Sequence, residues 1–359
     1  MPRFSAFSGI RYANDDLELV TAPPYDVIDA DERAALAASH ERNVVLIDLP
    51  LDYDDAARMF SDWRRDGHLV EDAPSLYLYR MTAEGESTLG VIGALGLEPP
   101  GTGDVLPHEH TTPKAKSDRL DLLRTTHANL SAVWGLSLAN GLSKHLDVDT
   151  ALALGDWLDG DGVQHELWRI TDDGAVRAIV DAIESAPVVI ADGHHRFETC
   201  LAFEAERPDL PGANATLCYI VELAPEQLTV KPIHRLLHVD LPALEAALAD
   251  EFELGVDGGL ALITREGTQP MARRNEDGEL DTVVLARALS DLPHEVTYQH
   301  GRDNVERAVR DGRFDAGVQV RPVTVDHITR YANAREKMPP KSTFFWPKPR
   351  TGTVFRSLG

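Results

Sequence analysis

Short apolar runs and stretches of helical period alternate along the chain, and together they predict a mixed fold. Asn43-Val44-Val45-Leu46-Ile47 is short, apolar and β-branched, which predicts a buried strand. Ala56, Ala57, Met59, Phe60 and Trp63 recur at helical spacing, so residues from about 54 to 66 are predicted to form an amphipathic helix. Leu76-Tyr77-Leu78-Tyr79-Arg80 and Thr88 to Leu97 predict two strands around the polar turn Ala83-Glu84-Gly85-Glu86. Further on, a helix from Ala175 to about Glu184 leads through Pro187 into the strand Val188-Val189-Ile190-Ala191. Phe197, Cys200 and Leu201 then open another helix with an i, i+3, i+4 apolar face. Residues 214–223 and 228–238 read as strands, and Leu241 to Leu254 as a helix with Asp240 at its N-cap. Pro339, Pro340, Pro347 and Pro349 exclude a regular helix near the end. The expected class is α+β with a mixed-sheet core. Residues 1–240 form that core, 241–322 an α/β subdomain, and 323–359 a segment docking back on the core.

Composition narrows the partners. The chain has 359 residues, enough for more than one average domain, and a formal charge of −24. Such a surface repels nucleic-acid backbones and anionic membranes, so any polyanion must meet a local basic island. The expectation is therefore no nucleic acid and no membrane. Cys200 and Cys218 are too few for a disulfide framework or a four-cysteine zinc site, which fits a reducing compartment. The opening MPRFSAFSGIRY has no apolar signal core, and no stretch approaches the ~20 apolar residues of a membrane helix. A cytoplasmic protein is expected. Oligomeric state is not legible from one sequence.

Four stretches carry chemistry. Asp192-Gly193-His194-His195-Arg196 follows an apolar strand and opens a helix, where unsatisfied backbone N–H groups attract phosphate. Gly193 lets the backbone approach closely, and Arg196 can grip two phosphate oxygens. His194 and His195 add donors, and Asp192 could hold Mg²⁺ or orient a hydroxyl. The alternative is a turn that merely caps a helix. Pro107 to Leu120 is dense in donors and charges, among them His108, Glu109, Thr111, Lys114 and Arg119. His108 and His110 would share a face if extended, but the spacing is not that of a zinc helix motif. Ala22-Pro23-Pro24-Tyr25-Asp26-Val27-Ile28 is a rigid turn bearing one carboxylate. Lys341, Ser342, Thr343, Lys348 and Arg350 form a basic, hydroxyl-bearing island with three interleaved aromatics. Phosphate loops of the Gly-x-x-x-x-Gly-Lys type, dinucleotide fingerprints and serine-hydrolase elbows do not occur.

Taken together, these stretches resemble the DUF1015 family. The matching pieces are Pro23-Pro24-Tyr25-Asp26-Val27-Ile28, His108-Glu109 with Thr111 through Asp118-Arg119, Ala191 through Arg196, and Met338-Pro339-Pro340-Lys341-Ser342-Thr343. The turn at 192–196 also looks like that of free-serine kinases in the ParB/sulfiredoxin-like superfamily. The resemblance implies a ParB/sulfiredoxin-like nucleotide-binding unit and phosphorylation of free L-serine to O-phosphoserine by ATP or ADP with Mg²⁺. It implies that Gly193, His194, His195 and Arg196 hold phosphates, with Asp192 at the reacting centre. Sulfiredoxins carry a catalytic cysteine inside this turn. Here Cys200 lies more than a helical turn later, which argues against sulfinic acid reduction.

In-line phosphoryl transfer needs a cradle, charge neutralisation and a carboxylate near the attacking oxygen. Asp26 and Glu109 rank equally as the base, and Lys341 and Arg119 are candidates for neutralising phosphate charge. His108, Thr111, Lys114, Ser342 and Thr343 are further nucleotide contacts to test. Two rival readings stand beside this one. The first is a nucleotide-binding switch without phosphotransfer. The second is a metal-dependent hydrolase using His108, His110, His194 and His195.

Overall fold

The computed structural model describes residues 1–108 and 116–359. The chain divides into two units, Met1–Thr229 with Pro347–Gly359, and Val230–Trp346. The second unit thus begins ahead of the boundary expected at 240, because Ile233–His238 is a central strand of its sheet. Residues 323–346 also belong to that unit, leaving only Pro347–Gly359 with the first.

In chain order the strands of the first unit are β1 (Phe4–Ser5), β2 (Gly9–Tyr12), β3 (Leu69–Glu71), β4 (Leu76–Ala83), β5 (Glu86–Gly96) and β6 (Val105–Pro107). They continue with β7 (Ala128–Asn129), β8 (Val133–Ser137), β9 (Leu152–Leu158), β10 (Gln164–Ile170), β11 (Val188–Asp192) and β12 (Ala215–Glu222). Its helices are α1 (Leu17–Val20), α2 (Ala30–Ser39), α3 (Val45–Asp48), α4 (Tyr53–Arg65), α5 (Lys116–Thr126), α6 (Asp173–Glu184) and α7 (His194–Glu206).

The predicted hairpin forms as β4 and β5, and it sits inside a large sheet of order β6-β11-β8-β12-β5-β4-β10-β9. The sheet is mixed: β6 with β11 and β8 with β12 run parallel, and the remaining neighbours are antiparallel. Both faces of β12 are buried, so its run of Leu217 to Val221 is apolar throughout rather than alternating. Ile179, Ile183, Phe197 and Phe203 of α6 and α7 pack into the same core as Val133, Val188 and Ile220. A smaller sheet of β3, β2, Phe355–Ser357 and β7 builds a second core with α4, whose Phe60 and Trp63 are buried there. Mixed α+β is the observed class.

One apolar run departs from its predicted state. Residues 43–47 do not form a strand: Val45–Asp48 is the one-turn helix α3. Asn43 decides this, since its Oδ1 accepts from the Val45 N–H at 2.9 Å and its Nδ2 donates to the Leu19 carbonyl at 2.8 Å. A side chain that bonds the backbone two residues on in this way draws the chain out of a ladder.

In the second unit, an antiparallel six-stranded sheet is ordered Phe252–Leu254, Gly267–Arg273, Leu260–Thr264, Ala316–Gln319, Ile233–His238, Glu295–His300. Four helices accompany it, α8 (Leu241–Leu248), α9 (Asp281–Ala288), α10 (Arg302–Arg310) and α11 (Val325–Ala334). Asp240 caps α8 by accepting from the Ala243 N–H at 3.0 Å. The helix stops at Leu248, short of the expected Leu254, because Phe252–Leu254 pairs with Gly267–Arg273 and buries Phe252. No helix among the described residues is long and apolar enough to cross a membrane.

The returning segment is fastened by a buried polar chain. The Tyr79 hydroxyl lies 2.8 Å from His165 Nδ1, and His165 Nε2 lies 3.0 Å from Asp159 Oδ2. Arg350 Nη1 approaches that same oxygen at 3.4 Å, and Arg350 Nη2 donates to the Thr21 carbonyl at 3.1 Å. Asp159 and Arg350 are 5% and 8% exposed, so removing one strands the other away from water. Asp159→Ala is expected to cost about 3 kcal/mol in urea unfolding; a loss under about 1 kcal/mol would show that water replaces the carboxylate.

Candidate active site

The site is built where β11 ends. Val188 to Ile190 are fully buried, and β11 is held by β6 on one side and β8 on the other. Asp192 is its last residue, and α7 begins two residues later. Gly193 joins them at φ 84°, where a Cβ would sit 2.8 Å from Arg196 Nε. Left-handed backbone and close approach both require glycine here. Gly193 supplies no side-chain cap, and an α-helix leaves the N–H groups of its first turn without intrahelical acceptors.

Asp192 lies between two cations. Its Oδ2 accepts from Arg196 Nη2 at 2.6 Å, and its Oδ1 from Lys348 Nζ at 2.8 Å. Arg196 Nη1 also donates to the Ala132 carbonyl. Lys348 Nζ is 3.6 Å from Asp26 Oδ2, so one ammonium spans the carboxylates of two distant segments. Burial pushes the Asp192 carboxyl up, but Lys348 and Arg196 outweigh it and hold the group well below the usual carboxylate range. Burial works against the Lys348 ammonium too, yet Asp192 and Asp26 keep its pKa above the ordinary lysine value. Asp192, Arg196 and Lys348 are therefore charged at neutral pH.

Asp26 is presented by a 3₁₀ turn, Tyr25–Val27, that follows Pro23 and Pro24. The Arg119 guanidinium stacks on the Tyr25 ring at 4.3 Å. Arg119 also donates to the Asp48 carbonyl at 2.6 Å and to Asp118 Oδ2 at 2.8 and 2.9 Å. Asp48 is buried at the end of α3, and burial raises its pKa against the opposing pull of Arg119 and Arg196.

The histidines occupy the other side of the turn. His108 Nδ1 is 2.5 Å from the Ile190 carbonyl and 3.1 Å from His194 Nε2. The two rings stand 4.8 Å apart, and both residues are buried. Burial pushes the His108 imidazole down to about 4, so it is neutral at physiological pH. His195 is half-buried beside them. Cys200 is a buried thiol whose pKa burial raises, with Thr216 Oγ1 at 3.3 Å and Asn129 Nδ2 at 3.4 Å; it is not an activated nucleophile.

Among the sequence candidates, Asp26, Asp192, Gly193 and Arg196 converge here, with Arg119 beside them and His108 and His194 behind the turn. Glu109, Thr111 and Lys114, with His110, lie outside the described residues. Lys341, Ser342 and Thr343 belong to the second unit, where the buried Ser342 hydroxyl donates to the Pro339 carbonyl at 2.7 Å. Lys348, Tyr25 and Asp48 are the additions. Lys348 stood in the basic island, but nothing in the sequence joins it to a carboxylate 156 positions away. Tyr25 lies inside the Pro-Pro-Tyr-Asp turn, and only its contact with Arg119 gives it a place in the site.

Three comparisons place the chain among known proteins. The family model described as "Protein of unknown function (DUF1015)" matches residues 4–315. No curated protein matches the sequence. Similar solved structures include a conserved hypothetical protein from Pyrococcus furiosus at 14% identity, covering 67% of this chain and 87% of that one, with a TM-score of 0.37. A free serine kinase in complex with AMP is similar at 13% identity, over 70% of this chain and 93% of that one, with a TM-score of 0.37. SbnI with a C-terminal truncation, from Staphylococcus aureus, is similar at 8% identity, over 73% and 85%, with a TM-score of 0.44.

His108 gives a pH signature. Its folded pKa of about 4 lies below the ordinary 6.5, so between these values the unfolded chain binds more protons. Stability from this residue is complete above about pH 6.5 and falls as the pH drops toward 4, by up to about 3 kcal/mol. His108→Gln should flatten the slope of unfolding free energy against pH in that window. Parallel slopes for variant and wild type would show that His108 is not buried as a neutral imidazole.

Proposed function

The chain belongs to the DUF1015 family, and from that premise we propose that it is a nucleotide-dependent phosphotransferase acting on a small hydroxylated metabolite, with free L-serine as the acceptor. The observation that carries this reading is Asp192 held between Arg196 and Lys348 at the start of α7. Two cations fixed beside a glycine-led helix start form a phosphate cradle, since a helix N-terminus favours negative charge and the cations neutralise it. The arrangement supports a ParB/sulfiredoxin-like nucleotide unit.

The terminal phosphates of ATP or ADP would lie against the N–H groups of the first turn, with Gly193 permitting the approach. Arg196 and Lys348 would turn from Asp192 toward phosphate oxygens. The acceptor oxygen attacks phosphorus in line as the bridging P–O bond breaks, and ADP leaves from ATP, or AMP from ADP. Its hydroxyl proton passes to a carboxylate, Asp26 or Glu109. Asp26 sits 3.6 Å from Lys348 Nζ, which supports it as a base beside the cation that would bind phosphate. In this reading Asp192 is the residue that positions both cations.

Mg²⁺ enters on different terms. Among the described residues no three carboxylate, histidine or cysteine groups gather to hold a metal, and both Asp192 oxygens already bind cations. The described residues do not fit a resident magnesium. Any Mg²⁺ would arrive on the nucleotide phosphates, as is usual for an ion that keeps most of its waters.

The test is to incubate the protein with L-serine, Mg²⁺ and either ATP or ADP and to detect O-phosphoserine by mass spectrometry. The expected result is product with at least one donor, reduced at least ~100-fold in Arg196→Ala, the scale on which single charge-stabilising donors act. Nucleotide binding without product would move the protein to a switch; undiminished turnover in the variant would remove the cradle.

A further inference from the structure

Behind the turn lies a cavity of about 50 Å³ that no motif of the sequence marks. It is partly open, is lined mainly from α5, β7 and α7, and has Leu122 and Leu130 as its apolar wall. The guanidinium-bearing Arg119 and Arg196 and the carboxylate of Asp48 form the other. At ~10–15 Å³ per water centre it has room for about four waters, roughly 120 Å³ of liquid. A three-carbon acid has that size.

Thr199 lines the cavity from α7 and is 5% exposed. Its hydroxyl has no hydrogen-bond partner among the described residues. A buried orphan hydroxyl is costly, and native structures keep one mainly where something else completes it. Neighbouring polar atoms need no such explanation, because Cys200, Asn129 and Thr216 bond to one another. Arg196 lines this cavity while its Nη2 binds Asp192, so one side chain joins the cavity to the phosphate cradle.

We infer that this cavity is the acceptor subsite and takes a three-carbon hydroxy acid or hydroxy amino acid, with Thr199 as a specificity-determining residue. The inference rests on the phosphotransferase reading above. A ligand carboxylate would meet Arg119 and Arg196 in exchange for Asp118 and Asp192, and Asp48 suits an ammonium group. The Thr199 hydroxyl supplies a neutral hydrogen bond, and the apolar wall limits the ligand to a short carbon chain.

Thr199→Val removes the hydroxyl with little change of shape, and Thr199→Ser restores it. In Thr199→Val the melting temperature should stay the same or rise, because an unsatisfied buried hydroxyl has been removed. The KM for L-serine should rise about 10-fold, with ADP affinity by calorimetric titration unchanged, and Thr199→Ser should return KM to within about twofold of wild type. An unchanged KM, or a KM change that Thr199→Ser does not reverse, overturns the subsite. If the wild type makes no phosphoserine, the kinase reading fails separately. The subsite is then tested by titrating L-serine and D-glycerate into wild type and Thr199→Val: binding lost in the variant supports it, and no binding to wild type overturns it.

Discussion

A buried carboxylate shared by two cations is the constraint on which the first unit depends. Arg196 and Lys348 offset the cost of holding a largely desolvated Asp192 carboxylate, and Asp192 does the same for them. The cluster ties the junction of β11 and α7, the Asp26 turn and the last thirteen residues to one point, though these three segments are far apart in the chain. Arg350, two residues beyond Lys348, does the same at Asp159, and backbone bonds between Ala22 and Thr351 close the seam. The Pro-Pro-Tyr-Asp turn is thereby gripped from the C-terminal side by Lys348 and from α5 by Arg119, with Arg350 holding Thr21 just ahead of it.

This economy has a chemical consequence. A site whose cations are held by its own carboxylates need not carry a large field. In the proposed function, an arriving phosphate would compete with Asp192 and Asp26 for Lys348 and Arg196, exchanging one set of charge-assisted hydrogen bonds for another. The chain carries −24 overall, which repels anionic ligands at long range. Under the proposed function, paired cations beside a helix start would offset that repulsion locally.

Local signals in the sequence were faithful where the chain decides its own conformation. The β4–β5 hairpin, α4, β11 and the opening of α7 were all legible from apolar period and turn chemistry. The run at 43–47 misled because four apolar residues fit a strand and a buried helical turn equally well, and the Asn43 side-chain bonds chose between them. At Leu241 to Leu254 the helical pattern ran on, but pairing of Phe252–Leu254 with a strand some fifteen residues later took over the last turn. The turn at 192–196 could be read because its residues are consecutive. Lys348, Tyr25 and Asp48 could not, because their places in the site come from contacts across the folded chain. The Thr199 cavity has no local pattern at all.

The most direct measurement of the central claim is calorimetric titration of ADP into the wild-type protein and into Lys348→Met. If Lys348 and Arg196 form a phosphate cradle, wild type binds ADP and the variant binds at least ~10-fold more weakly, the loss of about one charge-assisted contact. Equal affinities, or no binding to wild type, would mean that the cation pair serves only to fasten the C-terminal segment.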